Sequence, residues 1–261
     1  MENYLEGNLY FNTASYYDYD NREIVKDDLD FFVEYVNLTK GTILELASGT
    51  GRVSLYIAEK TGRMLECIEL SEHMLEKFRE KINDANDAHD KIKKNINIRK
   101  GDMSNFNLDQ KFECIIIPWR ALQWLPMEEK TLDCLNCVNR HLSDNGIFIF
   151  DIFKPGTYND DWLGRESISY NITDGKKQII RSTINHHADT SKKYIQYKNK
   201  IRILENGKET VKEDLLTIKY YEYEDIKALL KKTGFKVKEE FGYYDKRKIA
   251  DGDEMIFVCT K

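Results

Sequence analysis

The chain has 261 residues, a formal net charge of -5, and 41% apolar residues. This length suits one α/β core with an insertion, and the composition argues against wholesale disorder. Nucleic-acid binders usually carry a basic excess, so the charge argues against DNA or RNA as a partner. No apolar run approaches the roughly 20 residues that span a bilayer, and no secretory signal opens the chain. We therefore expect a cytoplasmic protein without membrane contact.

Residues 1–25 are rich in tyrosine, asparagine and aspartate, and we interpret them as an N-terminal arm outside the core. Asp27 or Asp28 is expected to cap the first core helix. Short apolar runs then alternate with helical patterns, and Ser71 is expected to cap the helix that carries Met74. Strands are expected at 42–46, 64–69, 96–99, 114–117 and 146–150. This alternation predicts an α/β fold with a parallel sheet covered on both faces.

After Pro155 the hydrophobic period changes to two, and Gly175 and Asn206-Gly207 supply turn residues. We interpret residues 165–220 as an antiparallel β insertion with one buried face. It is expected to form either an acceptor lid or a homodimer contact. The doubly wound pattern resumes afterwards, so the core domain is predicted to comprise residues 26–164 and 221–261.

The strongest functional signal is the segment from Leu44 to Arg52, in which a strand turns into a helix. Small residues at Ala47, Gly49 and Gly51 allow backbone N–H groups to approach a ligand, and the helix start adds a positive dipole end. Taken alone, this pattern also fits a nucleotide-binding turn or a purely structural one.

Two further signals follow at the next two strand ends. Glu69 is placed to accept hydrogen bonds from a ribose diol, although a plain helix-start acid remains an alternative. Asp102 and Met103 are placed to bind a base by its amino group and ring face, although an ordinary turn remains an alternative. Ser54 stands where a dinucleotide motif requires its third glycine, so a ligand without phosphate is favoured. The predicted cleft comprises residues 47–52, 69–74 and 102–104.

The segments ILELASGTGR, IELSEHMLEKFREKI, KGDMSNF and HLSDNGIFIFDIF resemble the class I S-adenosylmethionine-dependent methyltransferase superfamily. The resemblance covers about residues 40–155 and 222–261. Tyr17-Asp18 is similar to the Tyr-Asp arm of small-molecule methyltransferases, among them natural-product sugar N-methyltransferases. The resemblance implies a Rossmann-like seven-stranded sheet with an antiparallel last strand, S-adenosylmethionine as cofactor and a small-molecule acceptor.

The resemblance also implies roles for individual residues. The loop with Ala47, Ser48, Gly49 and Gly51 would hold the methionine part, Glu69 the ribose, and Leu70, Met74, Asp102 and Met103 the adenine side. Ile117 would offer its carbonyl to the methionine amino group. Tyr17, with Arg52 or Arg120, would meet the carboxylate. The alanine at position 47 departs from the family's first glycine, and we expect slightly altered loop geometry with binding retained.

Transfer to an alcohol would require a general base, whereas an amine needs only to lose its proton. Tyr17 and His186 are the candidates for positioning or proton acceptance, with His187 and Tyr16 beside them. Cys134 and Cys137 have CxxC spacing without a second pair, so we expect no metal site there. Two other functions stay open: methylation of an RNA or protein, and non-catalytic binding of S-adenosylmethionine.

Overall fold

The computed structural model describes residues 10–83, 90–156, 158 and 161–261. The first nine residues of the predicted arm lie outside these ranges. The described strands are β1 (Ile43–Leu46), β2 (Leu65–Glu69), β3 (Ile96–Lys100), β4 (Phe112–Ile117), β5 (Leu142–Phe153), β6 (Glu166–Asp174), β7 (Lys177–Asp189), β8 (Tyr194–Glu205), β9 (Lys208–Lys219), β10 (Lys236–Phe241) and β11 (Glu254–Thr260). The described α-helices are α1 (Leu29–Asn37), α2 (Arg52–Thr61), α3 (Glu72–Asn83), α4 (Asp90–Asn95), α5 (Glu128–His141) and α6 (Tyr223–Lys232).

Seven strands form the core sheet in the order β10–β11–β5–β4–β1–β2–β3. Strands β1 to β5 pair in parallel, whereas β11 is antiparallel to both of its neighbours. The predicted fold class, with its antiparallel last strand, is confirmed. The strand order reverses between β1 and β4, and such a reversal opens a crevice at the carboxyl ends of the strands.

Both faces of this sheet are buried, as the continuous apolar strands predict. Phe32, Ile57 and Phe78 cover one face from α1, α2 and α3, and each is 0% exposed. Leu135 on α5 and Leu229 on α6 belong to the cluster on the other face. The sheet is therefore a rigid middle layer that fixes where its strand ends point.

Two local expectations are corrected. Asp28 stands at the N-cap of α1 but makes no side-chain cap hydrogen bond; its carboxylate binds Arg52 instead. Strand β5 extends to Phe153, beyond the expected end at residue 150, because Asp151 and Ile152 continue to pair with β11. The expected cap at Ser71 is confirmed, since its Oγ accepts the N–H of Met74 at 3.4 Å.

The predicted antiparallel insertion is a separate four-stranded sheet, β6–β7–β8–β9. Its inner face buries Tyr170, Ile179 and Ile201 against Tyr16 and Tyr19 of the arm. Thr13 in the arm donates to Asp214 at 2.6 Å and accepts from Asn199 at 2.9 Å. The arm is thus held between the insertion and the core. None of the helices in the described part of the chain has the length and apolar character that crossing a bilayer requires.

Candidate functional site

The loop between β1 and α2 follows a left-handed path. Ala47, Gly49 and Gly51 have φ values of 54°, 57° and 80°. Ala47 therefore adopts the conformation that a glycine would adopt with less strain, at a cost of about 1–2 kcal/mol. Gly51 lies so close to α3 that an added Cβ would stand 2.1 Å from the Phe78 ring. This position requires glycine for conformation and for space.

Glu69 closes the loop from the end of β2. Its Oε2 accepts the N–H of Gly49 and its Oε1 accepts the N–H of Ser71, both at 2.8 Å. The residue is 8% exposed. Burial raises the pKa of this carboxyl, and the backbone hydrogen bonds oppose that shift. Each oxygen retains acceptor capacity, so Glu69 organises the loop and still offers acceptors to a ligand.

The end of β3 supplies the third predicted element. Asp102 accepts the N–H of Ser104 at 2.7 Å and bridges to Asn105, which gives the turn a defined shape. Met103 is 6% exposed and belongs to the core cluster. The three sequence signals therefore meet at one edge of the sheet.

These elements line one cleft, which is open to solvent and contains about 860 Å³ of space including its mouth. Ten predicted binding residues line it: Tyr17, Ala47, Ser48, Gly49, Arg52, Glu69, Leu70, Met74, Asp102 and Met103. Gly51, Ile117 and Arg120 do not line it; Gly51 lies behind the loop against Phe78, and Ile117 is 0% exposed. Thr50, which lies within the predicted range 47–52, also lines the cleft, whereas the sequence analysis missed the contributions of Tyr10 and Pro118.

The two arginines expected near a carboxylate have partners within the chain. Arg52 donates to both oxygens of Asp28 at 2.6 Å, and Asp28 is 0% exposed. Arg120 pairs with Glu254 on β11, which is 1% exposed. Both guanidinium groups lie over the Trp119 ring, with their carbons 4.9 and 5.5 Å from its centroid. Both arginines therefore brace a cleft-lining tryptophan.

Aromatic side chains from three segments form a roof over the cleft. Tyr10 makes edge contacts with Tyr17 and Trp124, with ring centroids 5.6 Å apart in each case. Trp124 in turn contacts Tyr197 on β8 at 6.1 Å. Burial raises the pKa of Tyr10, Tyr17 and Tyr197, so these phenols stay protonated at neutral pH. The roof therefore donates hydrogen bonds and is a poor proton acceptor.

His186, a predicted catalytic residue, is not part of the cleft lining. It is exposed on β7, where the pairing with β8 shifts register between Asn185 and His187. Glu45, by contrast, lines the cleft and is 1% exposed. It accepts a hydrogen bond from Ser54, and burial raises its pKa to about 8.

Cys134 and Cys137 lie in α5 as buried free thiols. Across the described ranges, no group of three or more metal-ligating side chains is placed to hold a metal ion. His141, the last residue of α5, bonds the Cys137 carbonyl at 2.7 Å and accepts the N–H of Leu108. Both cysteines belong to the hydrophobic cluster on the α5 side of the sheet.

Comparison with known proteins agrees with this geometry. Residues 43–146 match a family described as a methyltransferase domain. The putative methyltransferase YqeM of Bacillus subtilis is 30% identical over 172 residues, which cover 62% of this chain and 65% of that protein. A Streptomyces venezuelae dTDP-3-amino-3,4,6-trideoxy-alpha-D-glucopyranose N,N-dimethyltransferase is 24% identical over 49% of each chain. The chain therefore matches less than two thirds of the first relative's length and about half of the second's.

A solved S-adenosylmethionine-dependent methyltransferase from Clostridium acetobutylicum superposes with a TM-score of 0.73 at 19% identity. The superposition covers 90% of this chain and 91% of that one. Because it extends beyond the matched domain, the likeness in fold includes the β insertion as well as the core.

Proposed function

We propose that this chain, whose residues 43–146 match a methyltransferase domain, is a class I methyltransferase that transfers a methyl group from S-adenosylmethionine to a nitrogen or oxygen nucleophile of a small molecule. One observation carries the proposal. The loop after β1, Glu69 after β2 and Asp102 after β3 line a single cleft in the order that a nucleoside ligand needs.

The donor set of the cleft fits S-adenosylmethionine. Ser48 Oγ is buried and has no hydrogen-bond partner within the chain, so it remains available to a ligand. Glu69 would hold the ribose, and Leu70, Met74 and Met103 would surround the adenine. The lining includes the carboxyl groups of Glu69 and Asp102 and that of Glu45, whose pKa of about 8 keeps it protonated at neutral pH. Its guanidinium, that of Arg52, is bound to Asp28, so this lining suits a sulfonium better than a pyrophosphate.

When bound, S-adenosylmethionine supplies a methyl group on a positively charged sulfur. The remaining tasks of the protein are to align the acceptor and to exclude water. Tyr10 and Tyr17 from the arm, with Trp124 after β4, form the side of the cleft suited to both tasks. The aromatic faces also favour a cation beneath them.

An amine is the favoured acceptor. The described residues of the roof are phenols and indoles, and none is a proton acceptor at neutral pH. An alcohol would need such a base, whereas an amine loses its proton to water before attack. The Streptomyces relative is, by its name, an N,N-dimethyltransferase of an amino sugar. We therefore propose an amino group on a small molecule of sugar size.

Two experiments test this function. Calorimetry on the purified protein should detect S-adenosylmethionine and S-adenosylhomocysteine, and no binding of either at millimolar concentration would refute the proposal. Turnover should then be followed on a panel of amino sugars and matched hydroxy sugars. Transfer to RNA or protein alone would support a macromolecular substrate, and binding without transfer to any class would support a sensor.

We assign the two predicted roles of the insertion, acceptor lid and homodimer contact, to opposite faces of its sheet. The inner face holds the arm over the cleft, which supports a lid. On the outer face, Ile168, Val211 and Leu215 are exposed by 61%, 46% and 41%, and we propose it as the contact with a second copy of the chain. Light scattering of Val211→Lys against the wild type tests this contact.

The five cysteines are free, which supports a reducing, cytoplasmic location.

A further inference from the structure

Two consecutive residues after β4 have left-handed backbone conformations. Trp119 and Arg120 have φ values of 58° and 61°. Bulky L-residues rarely adopt this region, and such strain persists only where the surrounding structure imposes it. Trp119 lines the cleft, so the strained turn lies at the candidate site itself.

Asp151 supports this turn from the neighbouring strand. Its Oδ2 accepts the backbone N–H of Arg120 at 2.7 Å, and the residue is 0% exposed. Strand β5 pairs with β4 up to the contact of Ile117 with Phe150, so Asp151 stands directly beside the turn. The Asp151 carboxylate therefore fixes the backbone N–H of the second left-handed residue.

The side chains of the turn are fixed as well. Arg120 is paired with Glu254, and Arg52 is paired with Asp28. Each guanidinium stacks on the Trp119 ring. Asp28, Asp151 and Glu254 are each at most 1% exposed. Two arginines held by buried carboxylates therefore fix the position of the Trp119 ring.

We propose that Asp151 is a positioning residue, which holds the turn at Arg120 so that Trp119 stands as a wall of the cleft at the end of β4. This role rests on the proposed function only in that the cleft is taken as the methyl-transfer site. Trp119 contacts Arg52, which directly follows the loop of Ala47 to Gly51, so the wall would shape the end of the cleft that holds the methionine part, whereas Glu69 and Asp102 serve the nucleoside side.

Only one oxygen of Asp151 bonds the turn, so its positioning role can be tested apart from its negative charge. Oδ1 is buried without a hydrogen-bond partner. Burial, together with Glu254 and Asp28 nearby, raises the pKa of Asp151 to about 7, while Arg120 opposes that shift. The groups that face it are Asp28, Glu254, Tyr244 and Arg120. Since only one oxygen bonds the turn, an asparagine should preserve the contact although it carries no charge.

The test compares the wild type, Asp151→Asn and Asp151→Ala. Each of the three proteins is also prepared with the additional substitution Trp119→Phe. The difference between each protein and its Trp119→Phe partner isolates the Trp119 fluorescence, which needs no ligand. We expect Asp151→Ala to shift the Trp119 emission to the red and to weaken S-adenosylhomocysteine binding about tenfold, as for one lost buried hydrogen bond. Asp151→Asn should stay within about threefold of the wild type, a difference under 1 kcal/mol.

Three results decide the outcome. Unchanged Trp119 emission in Asp151→Ala overturns the proposal, and so does an asparagine variant as impaired as the alanine variant. If the wild type binds no S-adenosylhomocysteine, the proposed function fails, whereas the ligand-free emission still decides the positioning role. Should Asp151→Ala not fold, Asp151→Ser replaces it, because a serine hydroxyl is too short to reach the Arg120 N–H. Glu66→Gln, which alters an ion pair on β2 and β3, is the control.

Discussion

Asp18 of the N-terminal arm accepts a hydrogen bond of 2.7 Å from the hydroxyl of Thr50 in the loop after β1. Lys81 on α3 completes the contact, since its Nζ lies 2.7 Å from Asp18 and 2.9 Å from Thr50. Thr50 is 1% exposed and lines the cleft. The Asp18 carboxylate therefore connects the position of the arm to the shape of the loop after β1.

Asp18→Ala should weaken S-adenosylhomocysteine binding by about 1 kcal/mol, or roughly fivefold, because the loop loses its tie to the arm. Calorimetry measures the change. Asp174→Asn is the matched control, since Asp174 binds the arm at Tyr19 without touching the loop. Equal losses in the two variants would show that only general anchoring of the arm matters.

Deletion of residues 1–20 should remove most turnover and leave the core folded. The arm supplies Tyr10 and Tyr17 to the cleft, whereas the seven-stranded sheet contains no arm residue. Turnover on the panel of amino sugars and cooperative thermal unfolding are the measurements. A truncated protein with full turnover would mean that the arm is a loose terminus with no part in the site.

Glu69→Ala should weaken binding of S-adenosylhomocysteine by about 2–3 kcal/mol, since charge-assisted hydrogen bonds to the ribose and the bond to Gly49 are both lost. Glu69→Gln should lose less, because one oxygen acceptor remains. Glu72→Ala, three residues later and paired with Arg79, is the control. Unchanged affinity in a folded Glu69→Ala protein would show that Glu69 does not bind the ligand and is only an acidic residue before the helix.

Glu45→Gln should stabilise the ligand-free protein at pH 9 and have little effect at pH 5. The folded-state pKa of Glu45 is about 8, above its ordinary value of 4.5, so folding favours the protonated form. Its stabilising contribution is complete below the ordinary value and is lost as the pH rises through about 8. The melting temperatures of both proteins at both pH values provide the test. Each kcal/mol of stability should shift the melting temperature by roughly 2–4 °C. An equal shift at pH 5 and 9 would contradict the pKa argument.

Gly51→Ala should destabilise the protein by several kcal/mol, whereas Gly49→Ala should cost about 1–2 kcal/mol. Both glycines have positive φ, so both variants bear the same conformational strain. Only at Gly51 does an added Cβ meet a neighbour, the Phe78 ring at 2.1 Å; at Gly49 the space is open. Urea unfolding measures both, and equal losses would show that Phe78 moves aside.

The amino-acid sequence by itself determined the sheet, the insertion and the side of the cleft that Ala47, Glu69 and Asp102 line. Ala47, Glu69 and Asp102 each follow a recognisable strand, and the carboxyl ends of parallel strands meet at one edge. These features depend on patterns of a few neighbouring residues and on a general rule of topology, so one sequence suffices to read them. Helix α4 was missed because its six residues, Asp90–Asn95, are too few to show a helical period.

Only the tertiary structure decided which charges pair and which side chains roof the cleft. Arg52 and Arg120 were expected near a ligand carboxylate, yet Arg52 binds Asp28 and Arg120 binds Glu254. Arg120 and Glu254 are 134 residues apart in sequence. With 40 basic and 45 acidic residues, the chain allows many pairings that composition cannot rank. Coulomb energy depends on distance in space and on burial, and both arise only when the folded chain brings β4, β5 and β11 side by side.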